Sequence, residues 1–174
     1  MKKLLLLLLI LIVLLSCGRG GKELYTAPSR VVPDSFAIGL NLFNKGRAAS
    51  RNSANMDSVL FYMQLAENFF KREGDKAQVN RFIAFIYSSR GMLDEAMPYF
   101  LKASRMANEW QYSSICQEVA KVYAAAGRFR EGVLVMDLIR KNMNDRTVVP
   151  YYHLAKGNLW AGVNEYDSAV TYYL

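Results

Sequence analysis

One set of residues recurs along this 174-residue chain at a fixed distance, and the recurrence limits the fold more than any other feature. Ala84, Tyr87, Gly91, Ala96 and Phe100 return 36 positions later as Ala120, Tyr123, Gly127, Gly132 and Met136. They return again 37 positions further on as Gly157, Trp160, Asn164, Ala169 and Tyr173. Each copy reads small, aromatic, turn, small, large. Apolar residues between these anchors fall at helical spacing, and no sustained period-two alternation appears, so the expected fold is all-α. Periods of this length mark chains in which one helix pair stacks on the next. A helix should end at Gly91, at Gly127 and at Asn164, where a positive φ is wanted. The small residue ahead of each aromatic lets two helices approach, and Tyr87, Tyr123 and Trp160 fill the gap between them at equivalent depths.

A fourth, degenerate copy precedes these. Asp57-Ser58-Val59 mirrors Asp167-Ser168-Ala169, and Val59 lies 37 positions before Ala96. Its second helix runs through Met63, Ala66 and Phe70 to a turn at Glu73-Gly74-Asp75. Its first helix, about Ser35 to Ser50, is capped by Asp34 or Ser35 and carries no aromatic signature.

These residues resemble the tetratricopeptide repeat, whose pattern runs Trp-x2-Leu-Gly-x2-Tyr, then Ala-x3-Phe, then Pro. Ile83-Ala84 with Tyr87, then Ala96 and Phe100, is the fullest match. The resemblance implies a right-handed superhelical array of antiparallel helix hairpins, about three and a half repeats over residues 35–174. The repeat bounds are about 40–76, 77–112, 113–149 and an incomplete 150–174. The chain departs from the family in its longer period and in lacking the consensus proline. Longer turns are therefore expected at Glu73–Lys76, Asn108–Trp110 and Asn142–Val149. Pro98 and Pro150 are expected early in their helices, where a first-turn proline is tolerated. Leu174 falls two turns into the last helix and leaves Val170, Tyr172 and Tyr173 without a capping helix, so the reading frame is expected to continue.

The N-terminus carries an address. Lys2-Lys3 precedes twelve consecutive apolar residues, Leu4 to Leu15, followed by Ser16-Cys17. Twelve helical residues reach about 18 Å, against roughly 30 Å of hydrocarbon, too short to span. The segment has the plan of a secretory signal. Leu14-Leu15-Ser16-Cys17 resembles the lipobox of bacterial lipoproteins. That resemblance implies cleavage after residue 16, lipidation of Cys17, and attachment in a bacterial cell envelope. Gly18, in place of an aspartate, leans towards the outer membrane, facing the periplasm. Gly18 to Asp34, with three glycines and two prolines, reads as a flexible tether over residues 17–34.

Composition excludes several functions. Two cysteines make no disulfide framework, and with Cys17 lipidated, Cys116 is expected as a small buried hydrophobe. A single histidine, His153, argues against a His-based metal site or catalytic dyad, and no cofactor or metal is expected. No nucleophile–base pair is spaced for catalysis, so the chain reads as a non-enzyme with no small-molecule substrate. The formal charge of +7 is spread among acids rather than clustered, so this segment is not expected to bind nucleic acid.

What remains is a binding surface. In the tetratricopeptide family the first helix of each pair lines a concave groove that holds peptides. Transferring repeat positions places Asn44, Arg51, Arg81, Phe85, Gln117, Lys121, Tyr151 and Asn158 there. This polar, basic set would suit an acidic or C-terminal peptide through Arg81 and Lys121. The expected role is a membrane-anchored protein-interaction scaffold. The alternative is the sensory half of a longer signalling or transcription regulator.

Overall fold

The computed structural model describes residues 34–51, 55–140 and 149–174. The expected signal segment, Cys17 and nearly all of the expected tether lie outside these residues, as does the turn expected at Asn142–Val149 except for Val149. The described chain is all-helical: α1 (Asp34–Arg51), α2 (Met56–Phe69), α3 (Glu73–Ser89), α4 (Leu93–Met106), α5 (Glu109–Ala125), α6 (Phe129–Ile139), α7 (Val149–Gly162) and α8 (Tyr166–Tyr173). Each helix packs on the next in sequence, and α3 also packs on α5, α5 on α7, and α4 on α6. That neighbour-plus-next pattern is the one a stack of helix pairs produces.

The repetition extends to the backbone. Gly91, Gly127 and Asn164 have φ of 77°, 69° and 65°. At each, the residue after it donates its N–H to the aromatic five positions back: Met92 to Tyr87 (3.0 Å), Arg128 to Tyr123 (2.9 Å), Glu165 to Trp160 (3.2 Å). The positive-φ residue donates to Ser88, Ala124 or Ala161 at 3.0 to 3.1 Å. These paired bonds form a Schellman cap, which satisfies carbonyls that a helix end would leave bare. The next helix starts at once, because the carbonyls of Met92, Arg128 and Glu165 accept from Ala96, Gly132 and Ala169. One three-residue turn thus builds three hairpins. Nothing lies within 4 Å of a Cβ added at Gly91 or Gly127, so only the backbone resists a side chain there. Gly127→Ala should cost about 1 kcal/mol in chemical denaturation, and Asn164→Gly should gain a few tenths.

Two core clusters share the interior. One, from α1, α2 and α3, holds Phe43, Val59, Met63, Ala66, Phe70, Val79 and Ile83. The other runs from Ala77 to Leu159 and includes Phe100, Tyr112, Ile115, Val119, Tyr123 and Met136. Fully burying a side chain of this size contributes about 1.5–3 kcal/mol. Tyr87 and Tyr99 touch both clusters and stack on each other at 5.6 Å. The three signature aromatics are not equally deep. Tyr123 is 2% exposed, while Tyr87 and Trp160 are half-buried. Cys116 is fully buried, as its helical position suggested.

Several boundaries differ from the sequence reading. Glu73–Lys76 is the first turn of α3 rather than a loop, and Glu109-Trp110 the first turn of α5. Acidic first turns suit the helix dipole. Arg72 pairs with Asp75 and Lys76 with Glu73, while Asn108 and Gln111 form a reciprocal capping box. Gln111 also donates to the carbonyl of Gly74 at 2.8 Å, tying adjacent pairs together. The second and third units therefore begin nearer 73 and 109 than 77 and 113. Pro98 is the sixth residue of α4, a turn deeper than expected, on an exposed face. Pro150 does fall in the first turn of α7. The close-approach residue of the first pair is Gly46, whose added Cβ would lie 2.6 Å from Met63 Cε. It sits 38 positions before Ala84, one beyond the period, so a fixed offset missed it.

Candidate binding groove

The helical repeat puts Gln78, Arg81, Phe82 and Phe85 on one face of α3, at i, i+3, i+4 and i+7. The same offsets on α5 select Ser114, Gln117, Glu118 and Lys121, and on α7 Tyr151, Leu154, Ala155 and Asn158. Because α3 packs on α5 and α5 on α7, these faces adjoin, and a cleft opens at each junction.

The first cleft, about 230 Å³, is lined by Gln78, Arg81, Phe82, Phe85 and Glu118. Arg81 Nε donates to Glu118 Oε2 at 2.8 Å, with the two side chains 24% and 18% exposed. The pair ties α3 to α5 and cancels the charge of the guanidinium. Phe82 completes an aromatic wall, its ring 6.4 Å from Phe85 and edge-on to Phe43 at 5.6 Å. The second cleft, about 370 Å³, is lined by Glu109, Trp110, Ser113, Ser114, Gln117 and Tyr151. Trp110 is 70% and Tyr151 44% exposed, rings of a size that ordinarily seeks cover. Ser113 and Ser114 donate their hydroxyl protons to the carbonyls of Glu109 and Trp110, at 3.0 and 3.1 Å.

Of the eight residues expected in the groove, the structure gathers Arg81 with Phe85 in one cleft and Gln117 with Tyr151 in the other. Asn44, Arg51 and Lys121 are exposed on the same series of helices but line neither cleft. Asn158 is engaged, its amide oxygen accepting from the Tyr173 hydroxyl at 2.7 Å. Sequence reasoning missed Trp110 because its segment looked like a loop. It missed Glu118, which is invisible without the 37-residue pairing to Arg81.

A separate polar site lies at the last junction. Lys156 is 5% exposed, at the register held by Ile83 and Val119 in the two preceding pairs. Its ammonium contacts Asp137, which also accepts from the Tyr152 hydroxyl at 3.2 Å. The Lys156 Nζ lies 4.8 Å from the centre of the Tyr172 ring. Burial pushes the Tyr152 phenol up to about 12. Burial alone would lower Lys156, but hydrogen bonds to Asp137 and Tyr172 outweigh it, and the ammonium stands above its ordinary value. No group of three or more metal-ligating side chains occurs among the described residues, and no described helix is long and apolar enough to cross a membrane. The chain matches no protein-family model, and no curated protein matches it.

Proposed function

We propose that the chain is a non-enzymatic protein-interaction scaffold of the tetratricopeptide kind, a right-handed array that holds a peptide or protein segment along α3, α5 and α7. The observation that carries this reading is the pair of clefts at successive junctions, α3 with α5 and α5 with α7, the first beside the exposed Phe85 ring and the second beside the exposed Trp110 and Tyr151 rings. A repeated surface of this kind reads an extended ligand one stretch at a time. The Arg81–Glu118 pair narrows the choice of ligand, since an acidic segment would have to displace Glu118 to reach Arg81.

The lipobox resemblance adds a bacterial envelope location, with Cys17 lipidated and the tether keeping the groove near a membrane. Two or three acyl chains hold such a protein stably, one only marginally. Anchoring raises the effective concentration of any partner on the same surface.

A photo-crosslinking residue placed at Gln117 in intact cells should capture a discrete partner, and one at the exposed Arg105 of α4 should not. Equal adducts from both positions, or none from Gln117, would reject the groove. In the same cells a fatty-acid probe should label the wild-type chain and not Cys17→Ser. Persisting label would remove the anchor.

A further inference from the structure

We infer that the outer face of α2, α4 and α6 is an interface for a second copy of the chain, which docks about a twofold axis over the middle of α4. These helices contribute nothing to the two clefts, which are lined by residues of α3, α5 and α7. Three observations carry the inference.

The first is alignment. Equivalent positions of the three helices adjoin. Asp94 at the start of α4 accepts from Arg128, the residue that caps the start of α6, at 2.8 Å. Glu67 near the end of α2 pairs with Lys102 near the end of α4 at 2.8 Å. α4 also packs on α6. The helix starts thus share one edge of the face and the helix ends the other.

The second is an apolar band. Phe61, Pro98 and Leu134 occupy one repeat position, 37 and 36 residues apart, and all three are exposed, Phe61 at 61% and Leu134 at 64%. One turn further along stand Leu65, Lys102 and Leu138, and Leu138 is 63% exposed. Large apolar side chains held in water row upon row mark a surface that meets a partner.

The third is charge. Asp57 and Glu95 lie in the first turns of α2 and α4, Arg105 in the last turn of α4, and the exposed Lys71 and Arg140 just beyond α2 and α6. None of the five has an ion pair among the described residues. The remaining exposed charges of these helices, Asp94, Lys102, Arg130, Glu131 and Asp137, are paired within the chain. The uncompensated charge is therefore acidic at one edge and basic at the other. An anionic membrane, which also takes apolar bands, is repelled by the acidic edge. A copy of the same face turned by 180° brings each edge against its opposite. Centred at the level of Phe100, that rotation sets Glu95 against Arg105 of the second copy, and Phe61 and Leu65 against its Leu138 and Leu134. Every contact then occurs twice, as an interface about a twofold axis requires.

The test is sedimentation equilibrium of the full-length chain in density-matched detergent, over a concentration series. The wild type should form a reversible dimer. Glu95→Arg and Arg105→Glu should each weaken it at least about tenfold, since each sets like charges opposite one another twice, and the double swap should recover the wild-type affinity to within about threefold. Leu134→Asp combined with Leu138→Asp should leave a monomer with unchanged helical circular dichroism, because both side chains are exposed. A wild-type monomer at every concentration would overturn the interface. So would a dimer indifferent to these substitutions, or a double swap no better than the single ones. In cells the crosslinker at Arg105 then has one expected product, two copies of the chain joined at twice its mass. An adduct from Arg105 to a different protein would give the face to that protein and overturn the assignment. The adduct from Gln117 with a separate partner tests the groove alone, so either reading can fail without the other.

Discussion

Asp137→Ala should destabilise the protein by about 3 kcal/mol, whereas Lys156→Met, at the other end of the same ion pair, should be close to neutral. The asymmetry follows from burial. Lys156 is 5% exposed, and without Asp137 its ammonium would lie beside the Tyr152 and Tyr172 rings with no counter-charge, keeping only its hydrogen bond to Tyr172. Removing one partner of a buried pair typically costs 3–5 kcal/mol, while an apolar replacement of similar volume is often harmless or stabilising. Asp137 is itself 48% exposed, so water can partly take its place, and the low end of that range applies. Methionine would restore the apolar character of Ile83 and Val119 at the same register. Urea denaturation of both variants decides the matter, and equal losses would show that the two groups act through packing alone.

The same site sets an alkaline limit. An unfolded tyrosine releases its proton near pH 10, but Tyr152 keeps it to about 12. Between those values the unfolded chain binds fewer protons than the folded one, so stability falls as pH rises. The gap corresponds to roughly 2–3 kcal/mol at about 1.4 kcal/mol per pH unit. Tyr152→Phe should flatten that part of the stability profile.

Gly132→Val should be comparably damaging, at about 3 kcal/mol. A Cβ at Gly132 would lie 2.8 Å from the Tyr123 Cβ and 2.8 Å from Leu159 Cδ2. The Tyr123 atom is fixed to its backbone and has no rotamer by which to retreat, so α5 and α6 must separate. Overpacking of this kind costs about 1–3 kcal/mol, and a branched side chain lies at the upper end. Gly132→Ala should lose less, because alanine recovers up to about 1 kcal/mol of helix propensity. Guanidinium unfolding of the two variants checks the order, and a fully stable valine variant would disprove the close approach.

These sites divide by how legible they were. The three turns could be read because a left-handed residue admits few side chains, so Gly91, Gly127 and Asn164 announce themselves. Helix starts were harder. Glu73-Gly74-Asp75 has the composition of a loop, but the Asp75 and Lys76 N–H groups donate to the Arg72 carbonyl, and ion pairs of Arg72 and Lys76 and the Gln111 bond to Gly74 accompany that first helical turn. Gly46 escaped because one extra residue shifts its register from the period. The face bearing Arg81 and Gln117 followed from periodicity, but what those side chains do there did not. Whether Arg81 is available depends on Glu118, a residue of the next pair, and a linear pattern carries no sign of such a partner. Lys156 looked like one more surface cation until its neighbours were known.

The stacked Tyr87–Tyr99 pair has one more consequence. It touches both interior clusters, and the first of them is made of α1, α2 and α3 residues that the C-terminal hairpins do not bury. Unzipping that starts at either end therefore meets a shared boundary inside the second hairpin. The protein should open as two cooperative blocks rather than as one unit or as four separate hairpins, with amide exchange protection stepping at that boundary.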